Sequence, residues 1–414
     1  MPHSSRADPS QLTIFHLVQP VDGGVARVVT DLVRAQVAEG LRPVVACPSG
    51  GGLADSAAAA GARVRTWSAV RAPGPGLPRE VLAAARLIRG TGPQLIHAHS
   101  AKAGLVARLA VRGRVPTVFQ PHAWSFDAVE GRAAEMALTW ERFGTRWSTR
   151  TLCVSESERQ AGERAGIAAR WAVIPNGIDL GHFGARDGTD GTDDQAQADE
   201  HTYEHTDEET RRKRARLALP ELGDLPADAP LVLCVGRLCR QKGQDVLLRA
   251  WPRVCELAPG ARLVLAGDGP DRERLTGAAP RSVLFAGAVQ DIRPWLRAAD
   301  LVVLPSRWEG MALAPLEAMA CGRPVVLSDV SGARESLPPG HEAHSLVPPD
   351  DPPALAAALG RLLQDAELRR ALGREAKAHM RATCDVRKTA AAVSGLYQDL
   401  LSSPRPLTRK RITR

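Results

Sequence analysis

Two cations, Arg237 and Lys242, follow an apolar stretch that is typical of a buried strand. Open α/β sheets bind ligands at the carboxyl ends of their strands, so we expect both side chains beside a ligand. Two fixed cations there could hold a pyrophosphate and stabilise the charge that develops when it leaves. Taken alone, the segment is also compatible with two ordinary surface cations on a loop.

Two carboxylates, Glu309 and Glu317, follow a second apolar stretch and are separated by seven residues. Pro315 suits the first turn of a helix, so exposed backbone N–H groups are expected just before it, where they can donate to phosphate or sugar oxygens. These groups belong to the segment Gly310, Met311, Ala312 and Leu313. Both carboxylates can therefore point towards one ligand, one as a contact to a sugar and one as an acceptor for ribose hydroxyls. A helix-start acid favoured by the helix dipole remains the alternative for Glu317.

Three histidines lie in strand-like stretches of the first half of the chain: His97, His99 and His122. We interpret His97 and His99 as facing opposite sides of one strand, and either can be purely structural. A His-x-His pair can indicate a metal site. Because no carboxylate or cysteine lies nearby at ligand spacing, we predict none. His122 ends its strand in the half of the chain that we expect to face a donor sugar.

The elements that must position these residues follow an α/β rhythm, in which short apolar stretches alternate with turns and helix-period stretches. Strands that are apolar on both faces belong in a parallel sheet covered by helices on both sides. We therefore predict an α/β fold with two Rossmann-like, doubly wound domains. The predicted strands are residues 12–18, 43–47, 95–99, 117–120 and 152–155, then 231–235, 262–266, 283–285, 301–304 and 324–327.

The rhythm stops after Pro175-Asn-Gly-Ile-Asp, and residues 184–210 hold ten acids and one base. Such a segment has little to bury and predicts a solvated linker or disordered insertion. The predicted domains are an N-terminal Rossmann-like domain at 1–183, the acidic linker with its basic segment at 184–230, a C-terminal Rossmann-like domain at 231–384, a C-terminal helix at 385–403, and a basic tail at 404–414.

Composition limits the class of protein. A chain of 414 residues with 44% hydrophobic and 24% charged residues fits two globular domains. Seven cysteines without paired spacing predict reduced thiols, and the start of the chain resembles neither a signal peptide nor a membrane span. We therefore expect a cytoplasmic location. The net charge of +8 predicts attraction to phosphates.

The spacing of Glu309 and Glu317 resembles the E-x7-E signature of the GT-B glycosyltransferases of family 4, as do the segments 236–243 and 267–270. In the first half, the segment around Gly23 and Gly24 resembles the family's glycine-rich loop. The segment at 96–104 resembles a motif of exopolysaccharide-type members. The segment at 119–126 resembles the strand-end histidine motif, with Ala123 where the family usually has glycine. Because alanine lacks glycine's freedom at positive φ, the backbone there is expected to differ.

The resemblance implies a cleft between the domains and transfer of a sugar from a nucleoside-diphosphate (NDP) sugar to an acceptor hydroxyl. It implies that residues 1–183 form the acceptor side and residues 231–384 the donor domain, with the helix at 385–403 returning to the N-terminal domain. It also implies that Glu309 binds sugar hydroxyls and that Glu317 binds the ribose. It also implies retention, no obligatory metal and no further cofactor, in polysaccharide, glycolipid or glycoconjugate biosynthesis. The acceptor is expected to be a saccharide, a lipid-linked molecule or a small molecule. The implied catalytic residues are His122, Glu309, Arg237 and Lys242, the donor-binding residues Gly23, Gly24, Arg237, Lys242, Gly310, Met311, Ala312, Leu313 and Glu317, and the acceptor-side residues His99, Lys102 and Asn176.

Three other kinds of protein share single features with this sequence. An epimerase-like GT-B enzyme would share the donor pocket but use no acceptor. A Rossmann dehydrogenase requires Gly-x-Gly-x-x-Gly after a strand, which neither Gly23-Gly24 nor Gly236 supplies. A nucleic-acid binder fits the basic pI, but the sequence has no recognised nucleic-acid-binding motif, so no nucleic-acid partner is predicted.

An aromatic stripe flanked by arginines is formed by Met136, Trp140, Phe143 and Trp147. This stripe is either core or a face that contacts an anionic membrane.

Overall fold

The computed structural model describes residues 12–184 and 200–402, except 224 and 227. These residues form two compact units. Unit 1 contains the described residues of Met1–Cys153, Ala161–Ile174 and Arg387–Arg414, and unit 2 those of Val154–Gln160 and Pro175–Val386. The polar N-terminus, residues 185–199 of the acidic segment, and the predicted basic tail lie outside the described residues.

The strands and helices are numbered along the chain. Strands β1 to β13 are Thr13–Val18, Arg42–Cys47, Arg63–Thr66, Leu95–His99, Thr117–Gln120, Arg150–Cys153, Trp171–Val173, Leu231–Val235, Arg262–Ala266, Val283–Gly287, Leu301–Leu304, Val325–Ser328 and Leu346–Val347. Helices α1 to α17 are Gly23–Ala38, Leu53–Ala59, Leu77–Thr91, Ser100–Val111, Gly131–Gly144, Glu156–Arg164, Leu180–Gly184, Glu200–Leu217, Gln244–Leu257, Arg272–Ala278, Arg293–Ala298, Leu313–Ala320, Ala333–Ser336, Glu342–Ser345, Pro352–Gln364, Ala366–Thr383 and Val386–Ser402.

Unit 1 is built on a seven-stranded parallel sheet with the order β3-β2-β1-β4-β5-β6-β7. Alternate residues of β1 and β4 face opposite sides of the sheet. Phe15 and Leu17 of β1, with Ile96 of β4, pack against α3 and α4 in one hydrophobic core. His16 and His97 lie on the other side, where they meet side chains of α1 and α17.

Unit 2 is built on a six-stranded parallel sheet with the order β10-β9-β8-β11-β12-β13. Its central strands are buried and rich in valine and leucine, as expected where helices cover both faces. Helix α9 contributes Leu247, Trp251 and Val254 to the core at helical spacing, and all three are fully buried. In both sheets the strand order reverses once, between β1 and β4 in unit 1 and between β8 and β11 in unit 2.

The structure contains each strand that the sequence predicts, with ends shifted by up to two residues, and adds β3, β7 and β13. These three have only two to four residues each; β3 alternates with charged residues, and the apolar segments of β7 and β13 are too short to mark a strand. Short strands at the margins of a sheet are recognised by their hydrogen-bonded neighbour more than by their own composition.

Residues 200–210 belong to helix α8, although composition predicts a solvated linker or disordered insertion there. Arg216 anchors the end of this helix: its guanidinium contacts Asp300 at 2.7 Å and the Ala298 carbonyl at 2.9 Å. Arg212 adds a second ion pair with Asp300 at 3.1 Å. The basic segment therefore fastens the helix to the start of β11, a long-range contact that local composition cannot reveal.

The last helix, α17, belongs to unit 1. Its buried Tyr397 lies with its hydroxyl 2.6 Å from Nδ1 of His97, and Val393 and Leu400 are buried on the same helix.

The loop after β5 contains two residues in a rare backbone conformation. His122 has φ of 55° and Ala123 has φ of 104°. At position 123 the chain therefore adopts a conformation that glycine tolerates and alanine disfavours, at a cost of about 1–3 kcal/mol. A positive φ is therefore present at position 123, although the residue there is alanine.

We expect Ala123→Gly to stabilise the protein. Relief of the strain exceeds the entropy that glycine adds to the unfolded chain, so the free energy of unfolding should rise by about 1 kcal/mol. Denaturant unfolding of the wild type and the variant measures the difference. Ala60→Gly, at a helix end with φ of −78°, is the control and should destabilise. Lower stability of Ala123→Gly would contradict the strain.

Candidate active site

Two loops of unit 2 carry most of the chemistry that the sequence predicts. One follows β8 and holds Arg237 and Lys242, and the other follows β11 and holds Glu309. These two strands are neighbours at the place where the strand order reverses, which leaves a crevice at their carboxyl ends. Their position is the one at which doubly wound sheets bind ligands.

The Lys242 ammonium and the Glu309 carboxylate form an ion pair between these loops. Their side chains are only 21% and 12% exposed, so solvent screens the pair less than a surface ion pair. The loops are joined a second time by Gln241, whose side-chain amide donates to the Trp308 carbonyl at 3.1 Å. Its own carbonyl accepts from the Arg307 N–H at 2.8 Å. The two predicted site residues are therefore brought together by backbone as well as by charge.

Gly243 explains how the loops come so close. Its φ is 66°, and a Cβ at this position would overlap the carbonyl oxygen of Pro305. Only glycine allows both the conformation and the contact. Next to it, the Arg307 guanidinium forms a bidentate pair with Asp245, at 2.8 and 2.7 Å, and holds the pKa of that carboxyl below its usual range.

Arg237 is exposed, and its guanidinium has no ionic or hydrogen-bonding partner among the described residues. Helix α12 begins at Leu313 with Ala312 as its N-cap, close to the start that Pro315 predicts. The backbone of residues 310–313 therefore precedes or opens a helix, where N–H groups attract anions. Together the free cation, the ion pair and the helix start suit a phosphorylated ligand.

Glu317 lies in the second turn of α12 and is only 4% exposed. The sequence predicts that it contacts ribose, and the structure places it in the same helix that opens at the loop of Glu309. Its side chain is packed within unit 2 in this structure. Its predicted role in binding ribose stays a prediction.

Asn176 and Ser155 also reach this loop, and both belong to unit 2. The Asn176 side-chain amide donates to the Met311 carbonyl at 2.8 Å, and the Ser155 hydroxyl donates to the Gly310 carbonyl at 2.9 Å. Asn176 is predicted on the acceptor side from its motif, whereas its observed contact is with the loop that is predicted to bind the donor. Sequence reasoning missed Ser155, because its partner lies 155 residues away.

The remaining predicted residues lie in unit 1. Gly23 and Gly24 open α1 after β1 and are exposed. Lys102 is buried in α4, pairs with Glu80 at 2.6 Å and donates to the Ala72 carbonyl at 3.1 Å. These contacts give Lys102 a structural role in this unit, while its predicted role toward an acceptor stays a prediction.

His97 and His99 face the same side of β4, and their ring centroids are 3.9 Å apart. The interpretation that they face opposite sides is therefore wrong, because side chains at i and i+2 of a strand share a face. His16 of β1, which pairs with His97 in the sheet, joins the same group. The spacing of His97 and His99 already contained this signal, whereas the position of His16 depends on the pairing of β1 with β4.

A chain of hydrogen bonds runs through this histidine cluster. Gln36 Oε1 lies 2.9 Å from His16 Nε2, His16 Nδ1 lies 3.0 Å from His99 Nε2, and His99 Nδ1 lies 3.2 Å from His122 Nε2. Because the Gln36 oxygen can only accept, His16 carries its proton on Nε2 and accepts at Nδ1. The same logic places the protons of His99 and His122 on Nε2.

Burial keeps these imidazoles neutral. It lowers the pKa of His16 to about 4, and it lowers the pKa values of His97 and His99 well below the usual range. Desolvation lowers the pKa of His122, at the end of the chain of hydrogen bonds, to about 3. Neutral imidazoles can also bind transition metals, and ring nitrogens of His16, His97 and His99 lie within 4.8 Å of one another. Each of these three rings is, however, already hydrogen-bonded to another side chain of unit 1.

We expect the buried histidines to make stability fall below pH 6.5. In that range the unfolded chain binds protons at these residues while the folded chain does not, so acid favours unfolding. Each such histidine contributes a slope of up to about 1.4 kcal/mol per pH unit. Denaturant unfolding between pH 7 and 5, above the range where most carboxylates titrate, measures this slope. His16→Gln should reduce it, the exposed His182→Gln should not, and an unchanged slope in His16→Gln would contradict the assignment.

Two family models match the chain. Residues 22–182 match Glycosyltransferase Family 4, and residues 229–365 match Glycosyl transferases group 1. One relative is a lipopolysaccharide core biosynthesis mannosyltransferase, LpcC, of Rhizobium leguminosarum bv. viciae. It is 35% identical over 185 residues, which span 42% of this chain and 52% of the relative.

A second relative is the Escherichia coli UDP-Gal:alpha-D-GlcNAc-diphosphoundecaprenol alpha-1,3-galactosyltransferase, 28% identical over 60% of each chain. The chain thus spans a little over half the length of these two relatives. Among solved structures, Anabaena HepE in complex with UDP and glucose superimposes with a TM-score of 0.76 at 20% identity, over 94% of this chain and 100% of that one. The predicted fold is confirmed, and the chain belongs to the family 4 glycosyltransferases with the GT-B fold.

Proposed function

We propose that the protein transfers a glycosyl group from an NDP-sugar to an acceptor hydroxyl, with retention of the anomeric configuration. The observation that carries this proposal is the convergence of Lys242, Glu309 and the start of α12 at one edge of the unit 2 sheet. Such a group of charges and N–H donors suits a diphosphate with a sugar attached. UDP and glucose in the Anabaena neighbour support the same ligand class.

The residues of unit 2 supply electrostatic stabilisation in this proposal. As the bond to the anomeric carbon breaks, negative charge develops on the β-phosphate, and fixed donors stabilise it without reorganisation. Arg237 and Lys242 neutralise this charge, while Glu309 keeps Lys242 in place and accepts from sugar hydroxyls. Because the cations supply this stabilisation, the reaction needs no divalent metal in that role.

His122 acts on the sugar side in this proposal. Its pKa of about 3 keeps the imidazole neutral at physiological pH, so it can accept or donate a hydrogen bond without adding a charge. His99 fixes which ring nitrogen carries the proton. His99 therefore positions His122 in this proposal, in addition to its predicted acceptor-side role.

Lys242→Ala should weaken binding of the matching NDP-sugar by at least about tenfold, because it removes a charged contact and leaves the Glu309 carboxylate beside the phosphates. Calorimetry with UDP-, GDP- and ADP-glucose and their mannose or galactose counterparts finds the donor and measures the change. Lys213→Ala is the matched control, since Lys213 pairs with Glu209 on α8, which is anchored at the opposite end of β11.

Equal donor binding by Lys242→Ala and wild type would contradict the site. The class of reaction is checked with the same donor: a transferase releases NDP in proportion to added acceptor, whereas an epimerase-like enzyme converts the NDP-sugar when no acceptor is present. Acceptor-independent turnover would therefore contradict the transferase proposal.

For the acceptor we propose a lipid-linked saccharide reached by peripheral contact with an anionic membrane, in a cytoplasmic protein. None of the described helices is long and apolar enough to cross a membrane. Helix α5 exposes Met136 and Phe143, at 73% and 40%, next to exposed arginines, and Arg146 lies over the Phe143 ring. Trp140 packs against Phe143 and Trp147, so the stripe is partly packed and partly exposed. Apolar tips among cations suit an interface with anionic headgroups.

The double variant Arg132→Glu/Met136→Glu should reduce cosedimentation with phosphatidylglycerol-containing vesicles several-fold, because two features of the exposed face are lost. Vesicles of phosphatidylcholine alone report the contribution of charge. Arg253→Glu/Leu217→Glu is the control, since it makes the same charge change at exposed positions of unit 2. Equal sedimentation of both double variants would argue against α5 as the contact.

A further inference from the structure

Two successive carbonyl groups just before α12 accept hydrogen bonds from buried side chains. The Ser155 hydroxyl donates to the Gly310 carbonyl at 2.9 Å, and the Asn176 amide donates to the Met311 carbonyl at 2.8 Å. Ser155 is fully buried and Asn176 is 5% exposed, so solvent does not compete for either bond. Both bonds come from distant parts of the chain, whereas most hydrogen bonds of a loop are local.

The Ser155 hydroxyl makes a second hydrogen bond. The backbone N–H of Glu158 donates to the same hydroxyl oxygen at 3.1 Å, which caps the start of α6. A hydroxyl has one proton to donate. The Gly310 carbonyl oxygen can only accept, so the hydroxyl proton is directed to Gly310 while the hydroxyl oxygen accepts from Glu158.

Holding a carbonyl also aims the N–H group of the next residue. A peptide unit is planar, and in the trans form its C=O and N–H point in opposite directions. No cis peptide bond occurs in the described residues. Ser155 therefore directs the Met311 N–H, and Asn176 directs the Ala312 N–H, away from the buried side chains. Neither N–H group has an acceptor within the described residues.

Gly332 packs directly against the Gly310 carbonyl. Its φ is 74°, and a Cβ at this position would overlap the Gly310 carbonyl oxygen. Its own N–H donates to the Ser157 hydroxyl at 2.8 Å, and Ser157 in turn donates to Glu335 at 2.6 Å. Packing this close leaves the Gly310 peptide no room to rotate.

We propose that Ser155 and Asn176 are positioning residues that aim the Met311 and Ala312 N–H groups at the diphosphate of the donor. The proposal rests on the proposed function and adds which N–H groups bind the phosphates and what holds them. Preorganised donors of this kind stabilise an anion more than mobile ones, because no reorganisation accompanies binding. Lys242 and Arg237 lie at the same edge of the sheet, so charge and hydrogen bonds act on one ligand.

The test separates binding of phosphate from binding of the nucleoside. Wild type, Ser155→Ala and Asn176→Asp are titrated by calorimetry with UDP, GDP and ADP, and with uridine, guanosine and adenosine. Each variant should bind the preferred diphosphate about tenfold more weakly, which corresponds to about 1.4 kcal/mol. Affinity for the matching nucleoside should stay unchanged. Ser155→Thr keeps the hydroxyl and should restore diphosphate affinity.

Ser336→Ala is the matched control, because Ser336 is a buried serine of the same unit that donates to the carbonyl of Ala333 instead. Unchanged diphosphate affinity in folded Ser155→Ala and Asn176→Asp would overturn this inference alone. Equal loss of nucleoside affinity would also overturn it, since it would show a general structural role. If wild type binds none of the three diphosphates, the proposed function itself fails.

Discussion

The ion pair between Lys242 and Glu309 joins the two loops on which the candidate site depends. One loop follows β8 and the other follows β11, and these strands are neighbours where the strand order of the unit 2 sheet reverses. The chain between Lys242 and Glu309 forms strands β9 to β11 and helices α9 to α11. A half-buried charge without a partner would be costly, so each residue requires the other when no ligand is bound. In the proposed complex, the diphosphate adds negative charge beside this ion pair. The pair therefore keeps a cation in position without leaving it exposed to solvent.

The two units differ in the way they supply polar groups. Unit 2 offers formal charges and backbone N–H groups at a strand edge, which suit an anion. Unit 1 offers a buried cluster of neutral histidines, whose protons are fixed by hydrogen bonds that start at Gln36. Neutral groups can orient a sugar without competing for the phosphates. Family membership and the geometry of unit 2 thus support the same class of ligand from independent observations.

Close backbone contacts make the site rigid. Gly243 and Gly332 each allow a neighbouring carbonyl to approach where a Cβ would overlap it. Ala123 has a positive φ, which favours glycine, so the backbone of the loop after β5 is strained. Strain at such a position indicates that the surrounding structure fixes the backbone of His122, which the sequence motif alone left open.

The sequence by itself determined ten of the thirteen strands, the family, and the loops that carry Arg237, Lys242 and Glu309, because apolar stretches and turn residues mark strand ends locally. It also contained the shared face of His97 and His99, which we misinterpreted. Only the tertiary structure decided the contacts of Ser155 and Asn176 with the loop before α12, the anchoring of α8 by Arg216, and the burial of Glu317. These features depend on residues far apart in the chain, and local periodicity carries no information about which distant groups meet.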